Sequence, residues 1–160
     1  MNRYETLKLE NQLCFPLYAT AKEVVRRYGP FLAELDITYT QYIALMVLWE
    51  QNGISVKALG ERLFLDSGTL TPLLKKMEGR GLLTRTRDRT DERSVRVTLT
   101  EAGFALRERA LTVPERLFTC LPIELDDAKA LQGILKRMLS AFAEAPDEPV
   151  ACPKTVADPE

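Results

Sequence analysis

The chain of 160 residues has no histidine, three cysteines and one tryptophan. Without histidine, Cys–His and Ser–His nucleophile pairs are excluded, and metal binding is left to weaker carboxylate arrangements. Most hydrolase chemistries fall with them, and neither a metal nor a cofactor is expected. Cys14, Cys120 and Cys152 cannot all pair within one chain, and no C-x-x-C spacing occurs. A disulfide framework, a zinc site and a thioredoxin-type site are therefore not expected. No run approaches the roughly 18 apolar residues of a membrane span, and MNRYETLKLENQ lacks the apolar core of a secretory signal. A cytoplasmic protein with no membrane partner is the expectation. Charge of one sign is missing too: 22 basic residues against 23 acidic ones leave a net charge of -1, so the overall charge points to no partner. Apolar residues at 46% and charged residues at 28% describe a chain able to bury a core of its own.

What is present is mostly helical periodicity. Leu13, Leu17, Ala21, Val24, Val25 and Tyr28 recur at three- and four-residue steps, predicting an amphipathic helix that "YGP" at residues 28–30 should stop. "FLAELD" then predicts one or two helical turns. Thr38 and Gln41 stand at capping-box spacing before a wide apolar run that closes at Gly53. Ser55 caps "VKALGERLFL", and Asp66 or Ser67 caps "GTLTPLLKKMEGRG". Two short helices joined by a tight turn read as a helix-turn-helix. "LLTRTR" and "SVRVTLT" alternate apolar with polar about the charged turn "DRTDER", predicting a β-hairpin with a basic tip. Thr100 caps a helix reaching about Cys120 and bent near Pro114, and a last helix runs from Asp126 to Phe142. The remaining tail, with four prolines and five acidic residues against one lysine, is expected to be disordered.

Between Lys75 and Arg96, eight basic residues face four acidic ones, so this window carries +4 while the chain carries -1. A local concentration of that kind suits a phosphate backbone, whose contacts release condensed counterions. A solvated charged face is the plainer alternative. The preceding helix favours nucleic acid: Ser67, Thr69 and Thr71 lie in its first turns, the part of a recognition helix that reaches base edges. Lys75, Lys76, Arg85 and Arg87 supply charge beside them. Arg93 beyond the turn is a candidate for the minor groove, with Asp91 orienting its guanidinium.

Cys14 admits two readings, since a free cysteine is often simple core filler. Its place near a helix start, ahead of Pro16, favours an anionic sulfur, and Tyr18, Tyr28, Tyr39 and Tyr42 offer phenolic donors. Phe15, Leu17, Ile43 and Val47 are candidates for an apolar surround that suits organic peroxides. Leu106, Ala110, Val113, Leu117, Leu131, Ile134, Leu135, Met138 and Phe142 form stripes too long for a small domain to cover alone.

The stretches "LENQLCFPLYA", "ITYTQYIALMVLWE", "LFLDSGTLTPLLKKMEGRGLLTR" and "DERSVRVTLTEAG" resemble the MarR family of winged-helix transcription regulators, and within it the organic hydroperoxide-sensing repressors. The family's wing pattern Asp-x-Arg-Asp-x-Arg is met here except at Thr90. The resemblance implies a mainly α fold with a small β-hairpin wing, a winged helix-turn-helix domain plus interlaced N- and C-terminal dimerisation helices. Its divisions would be 1–36 (dimerisation and sensing cysteine), 37–99 (DNA binding), 100–143 (dimerisation helices) and 144–160 (tail). It implies a homodimer bound to a pseudo-palindromic double-stranded DNA operator and released by organic hydroperoxide, rather than an enzyme. Cys14 would be the peroxidatic cysteine, Tyr28 and Tyr39 the tyrosines reaching it from the other subunit, and Cys120 the intersubunit resolving thiol, with Cys152 a weaker candidate. Two alternatives stay open: a family member released by a phenolic or other small ligand, with Cys14 only packing, and a thiol peroxidase.

Overall fold

The computed structural model describes residues 4–88 and 94–144. Asp91, Arg93, Cys152 and the tail beyond Glu144 lie outside the described residues. Two short 3-10 turns, Glu5–Leu7 and Leu9–Asn11, precede α1 (Cys14–Ala33). There follow α2 (Tyr39–Glu50), β1 (Ile54–Ser55), α3 (Val56–Leu63), α4 (Ser67–Gly79), β2 (Leu83–Arg87), β3 (Val95–Leu99), α5 (Glu101–Ala110), α6 (Val113–Phe118) and α7 (Leu125–Glu144). The chain forms two compact units, Met1–Leu121 and Pro122–Glu160.

The helix starts are where side-chain oxygens can satisfy orphan N–H groups, each such cap being worth ~1 kcal/mol. Gln41 N–H donates to Thr38 Oγ1 while Thr38 N–H donates back to Gln41 Oε1, completing the capping box of α2. Ser55 accepts from Ala58 N–H at 3.1 Å, and Thr100 accepts from Gly103 N–H at 3.1 Å. Of the two candidate caps for α4 it is Asp66 that serves, accepting from Thr69 N–H at 2.8 Å.

The expected stop at "YGP" is corrected by the structure: α1 runs through Gly29 and Pro30 to Ala33. Both residues are exposed, so the carbonyl of Arg26, deprived of a partner at Pro30, faces solvent. Leu32, two residues past Pro30, is 2% exposed, and its burial holds the helix on course. The true stop is Asp36, at φ 56, where Ile37 N–H turns back to the carbonyl of Leu32. The post-wing helix is interrupted at Leu111–Thr112, with Pro114 in the first turn of α6, where a missing N–H is harmless. The sequence offered no sign of β1, whose two residues pair with β3 through Ile54 and Val97.

The antiparallel sheet has the order β1-β3-β2, with Leu83 opposite Leu99 and Arg87 opposite Val95. Leu45, Leu48, Leu59, Leu74, Met77 and Val97, all 0% exposed, join α2, α3, α4 and the sheet in one core. Close backbone approach requires glycine at two joints. A Cβ on Gly60 would lie 2.8 Å from the Leu65 carbonyl in the α3–α4 turn, and one on Gly103 would lie 2.0 Å from the Leu82 carbonyl. Gly103 also accepts the Trp49 indole N–H at 3.0 Å, fastening α5 to α2. In the second unit α7 is an amphipathic helix of 20 residues with none buried, its Leu131, Ile134, Leu139 and Phe142 all exposed.

Candidate nucleic-acid interface and thiol site

In α4 the buried positions Leu70, Leu74 and Met77 define the face turned to the core. The opposite stripe is Gly68, Pro72, Lys75 and Gly79, all exposed. Helical spacing puts these four in a row, so the outward face of α4 is low in profile and carries one cation. Pro72 is tolerated there because the Gly68 carbonyl that loses its partner faces water. Ser67 and Thr69 are exposed at the helix start. The Thr69 hydroxyl donates to Asp66 at 3.0 Å, and Asp66 is held below the usual carboxylate range first by the Thr69 N–H and then by that hydroxyl. Thr71 instead lines the groove between α3, α4 and the wing, with Val56, Lys57, Leu74, Arg85, Ser94 and Val95.

The structure divides the basic window into cations that hold the fold together and cations that remain available. Arg85 forms a two-pronged bond to Glu78, at 2.9 and 2.7 Å, tying β2 to α4. That contact, with Arg85 N–H added, holds the Glu78 carboxyl below its ordinary range. Arg80 reaches Asp36 at 2.6 Å, and Arg96 bonds Asp88 and the carbonyl of Gly53. Lys75, Lys76 and Arg87 form no ion pair among the described residues. Lys76 borders a shallow depression with Arg80, Asp36 and Thr38. No sequence signal forecast these pairings, because their partners come from other elements.

The thiol site is spread over two ends of α1. Cys14 opens the helix and is exposed, and the preceding Leu13 provides no capping bond. Its neighbours Phe15 and Tyr18 are exposed as well, at 42% and 66%, whereas Val47 turns into the core. Tyr28 lies fourteen residues further on, about 21 Å along the helix axis. There its ring meets Tyr39 at 4.9 Å and Tyr42 at 5.8 Å, and Tyr42 meets Trp49 edge-on at 6.4 Å. Burial, and then Tyr39 and Tyr42, push the Tyr28 phenol up to about 12; burial also raises Tyr39 and Tyr42. All three are hydroxyl donors at neutral pH. Cys120, also exposed, follows α6, whose Arg116 guanidinium stacks 4.6 Å from the Phe31 ring centroid. Phe31 is seventeen residues beyond Cys14, about 26 Å along the same axis. Arg116 therefore packs beside the end of α1 remote from Cys14.

Residues 26–109, just over half of the chain, match the family described as transcriptional regulator SarA/Rot. The chain is 49% identical over 141 residues to the organic hydroperoxide resistance transcriptional regulator of Bacillus subtilis (strain 168), covering 88% of this chain and 96% of that one. This chain belongs to the MarR-like winged-helix transcriptional regulators. The resemblance read from the sequence is thereby borne out, in family and in branch. Among solved structures, reduced AbfR bound to DNA is 35% identical with a TM-score of 0.70, covering 88% of this chain and 97% of AbfR. The disulfide form of AbfR, a protein of Staphylococcus epidermidis, is 36% identical with a TM-score of 0.58, covering 89% and 97%. As a member of the family, this winged-helix protein is a DNA-binding transcriptional regulator. No helix among its described residues is long and apolar enough to cross a membrane, and no group of three potential metal ligands occurs among them.

Proposed function

We propose that this winged-helix regulator is a homodimeric repressor that senses organic hydroperoxides through Cys14 and then releases a pseudo-palindromic operator. Residues 1–36 and 100–143 would supply the dimer, and residues 37–99 would read DNA. In the proposed interface Ser67 and Thr71 approach bases and sugar, Lys75, Lys76 and Arg87 meet phosphates, and Arg93 enters the minor groove with Asp91 beside it. Arg85 and Thr69 act at one remove, the first by fixing the wing on α4 and the second by capping α4.

The observation that carries the sensing role is the separation along α1. An exposed thiol stands at an uncapped helix start, and about 21 Å further along the same helix Tyr28 joins Tyr39 and Tyr42 of α2 in a cluster of protonated phenols. A second, antiparallel copy of α1 closes that gap, bringing Tyr28 and Tyr39 of one subunit to Cys14 of the other. It also covers Leu7, Leu9, Leu13 and Tyr18, which are 56–74% exposed and too many for a free surface.

In the proposed chemistry the Cys14 thiolate attacks a peroxide oxygen, the O–O bond breaks, and the alcohol leaves with a proton. Sulfur is oxidised to a sulfenic acid. The Cys120 thiolate of the other subunit then attacks that sulfur, forming the S–S bond as the S–O bond breaks and expelling hydroxide, which takes a proton from solvent to become water. A coupling of ~1–3 kcal/mol between thiol state and DNA affinity corresponds to roughly 5- to 150-fold. The weaker match to the disulfide form of AbfR than to its reduced form on DNA supports reading this conformation as the one without the cross-link.

Gel-shift titration with cumene hydroperoxide tests the reading. Cys14→Ser is expected to bind operator normally and ignore peroxide; Cys120→Ser is expected to form the sulfenic acid but no cross-link. Peroxide release that persists in Cys14→Ser would overturn the thiol mechanism in favour of a small-ligand effector.

A further inference from the structure

We propose that Arg96 is a positioning residue for the wing: by joining Asp88 at the root of the hairpin to the carbonyl of Gly53 beyond α2, it fixes the angle at which the wing meets DNA. This rests on the proposed role of the wing as a DNA contact and extends it to a strand residue outside the wing pattern.

β3 is the middle strand, and Arg96 stands in register with Ser55 of β1 on one side and Thr86 of β2 on the other. Its neighbour Val97 is 0% exposed, so the alternation of a strand sends Arg96 to the outer face of the sheet. There its fork reaches both ways: Nε donates to the Asp88 carboxylate, and Nη1 donates to the Gly53 carbonyl at 2.7 Å. Asp88 directly follows β2, is 9% exposed, and donates its N–H to the Ser94 carbonyl at 2.8 Å, closing the root of the hairpin. One guanidinium thus ties that root to the turn leading out of α2, 43 positions away.

The clasp sits where the sheet loses its third strand. β1 ends at Ser55, opposite Arg96, and from that pair towards the tip β2 and β3 continue as a two-stranded ribbon, the arrangement whose twist is least constrained. Arg87, opposite Val95, already lies in that ribbon. Contacts to phosphates set the register of a protein on DNA, and they can do so only if the ribbon arrives at one angle. Arginine suits the task, because its planar fork presents donors in two directions and stays charged, whereas an ammonium is a single point. Asp88, nearly removed from water, in turn requires a charged partner.

The test uses the full-length reduced protein on an operator duplex, with hydroxyl-radical footprints read beside the dissociation constant and the thermal midpoint of each variant. Asp88→Asn separates the clasp from simple electrostatics. Removing a negative charge beside DNA strengthens binding if charge alone matters. Loss of the clasp instead weakens it, by about tenfold, and erases the protection of the minor groove flanking each half-site while leaving the major-groove protection by α4. Arg96→Gln is expected to do the same, and Arg96→Lys, which keeps the charge but reaches one anchor of the two, should recover only part of the loss. Since both changes break one clasp, Asp88→Asn combined with Arg96→Gln should lose no more than the worse single variant, whatever else Asp88 holds. Arg96→Gln leaves a nearly buried carboxylate without this cation, so if its midpoint falls below the assay temperature, Asp88→Asn and Arg96→Lys decide the matter. Tighter binding by Asp88→Asn, wild-type binding by Arg96→Lys, or additive losses in the double variant overturns the inference alone. No flanking protection by the wild-type protein overturns the DNA-contacting wing and this inference together.

Discussion

The two ends of α1 are built from similar residues and finished in opposite ways. At the C-terminal end Tyr28 packs against Tyr39 and Tyr42, Leu32 is sealed in the core, and Glu34 and Asp36 are bonded by Arg80 just past α4 and by arginines from α5 and α6. At the N-terminal end Leu13, Phe15 and Tyr18 are exposed, and the helix begins without a side-chain cap. One end is completed within the chain, while the other presents a thiol and an apolar surface with no cover of its own. The difference teaches that α1 does two things: it seals the core of its own unit and, in the proposed homodimer, offers a surface to a second copy.

The largest test of this contrast compares two leucines of the same helix. Leu32→Ala is expected to cost about 2–5 kcal/mol, lowering the urea midpoint at every protein concentration. Leu13→Ala should instead weaken self-association, lowering the midpoint only as dilution separates subunits. If the two variants respond to dilution alike, the contrast between the ends is wrong. Sedimentation at matched concentrations provides the second readout.

A smaller effect should appear in alkali. The folded-state phenol of Tyr28 sits at about 12, above its ordinary value near 10, because burial disfavours the phenolate. The stability it contributes is therefore complete below pH ~10 and is lost as pH rises from there to about 12, where the unfolded chain ionises first. Tyr28→Phe should flatten the fall of the thermal midpoint across that window. An unchanged slope would remove the tyrosine cluster from the contrast.

The smallest effects concern the basic window. Lys75→Ala and Arg87→Ala should each lower the salt slope of operator binding by about one, whereas Arg85→Gln should leave the slope intact because its charge is committed to Glu78. Equal slope losses in all three would show that the pairing with Glu78 gives way on DNA.

Much of this was legible in the sequence wherever the cause is local. The Thr38–Gln41 box, the Ser55 and Thr100 caps and the alternation of Leu83–Arg87 and Val95–Leu99 depend on spacings of two to four residues, and each appears as expected. The misjudged stop at Gly29–Pro30 shows the limit: local preference called for an end, and burial of Leu32 prevailed. The roles of the arginines were not legible either. Arg80 meets Asp36 across 44 positions and Arg116 meets Glu34 across 82, and nothing near either residue marks its partner.

By itself, then, the sequence determined the order of helices and strands, the helix-turn-helix with its wing, and the presence of a thiol at a helix start, because capping and periodicity act over one or two turns. Only the tertiary structure decided which cations are spent on carboxylates and which stay available. It alone gathered the phenols of Tyr28, Tyr39 and Tyr42 into one cluster, at the end of α1 remote from Cys14. Those outcomes depend on where distant segments come to rest, which is settled by burial of the shared core and not by the neighbours of any one residue.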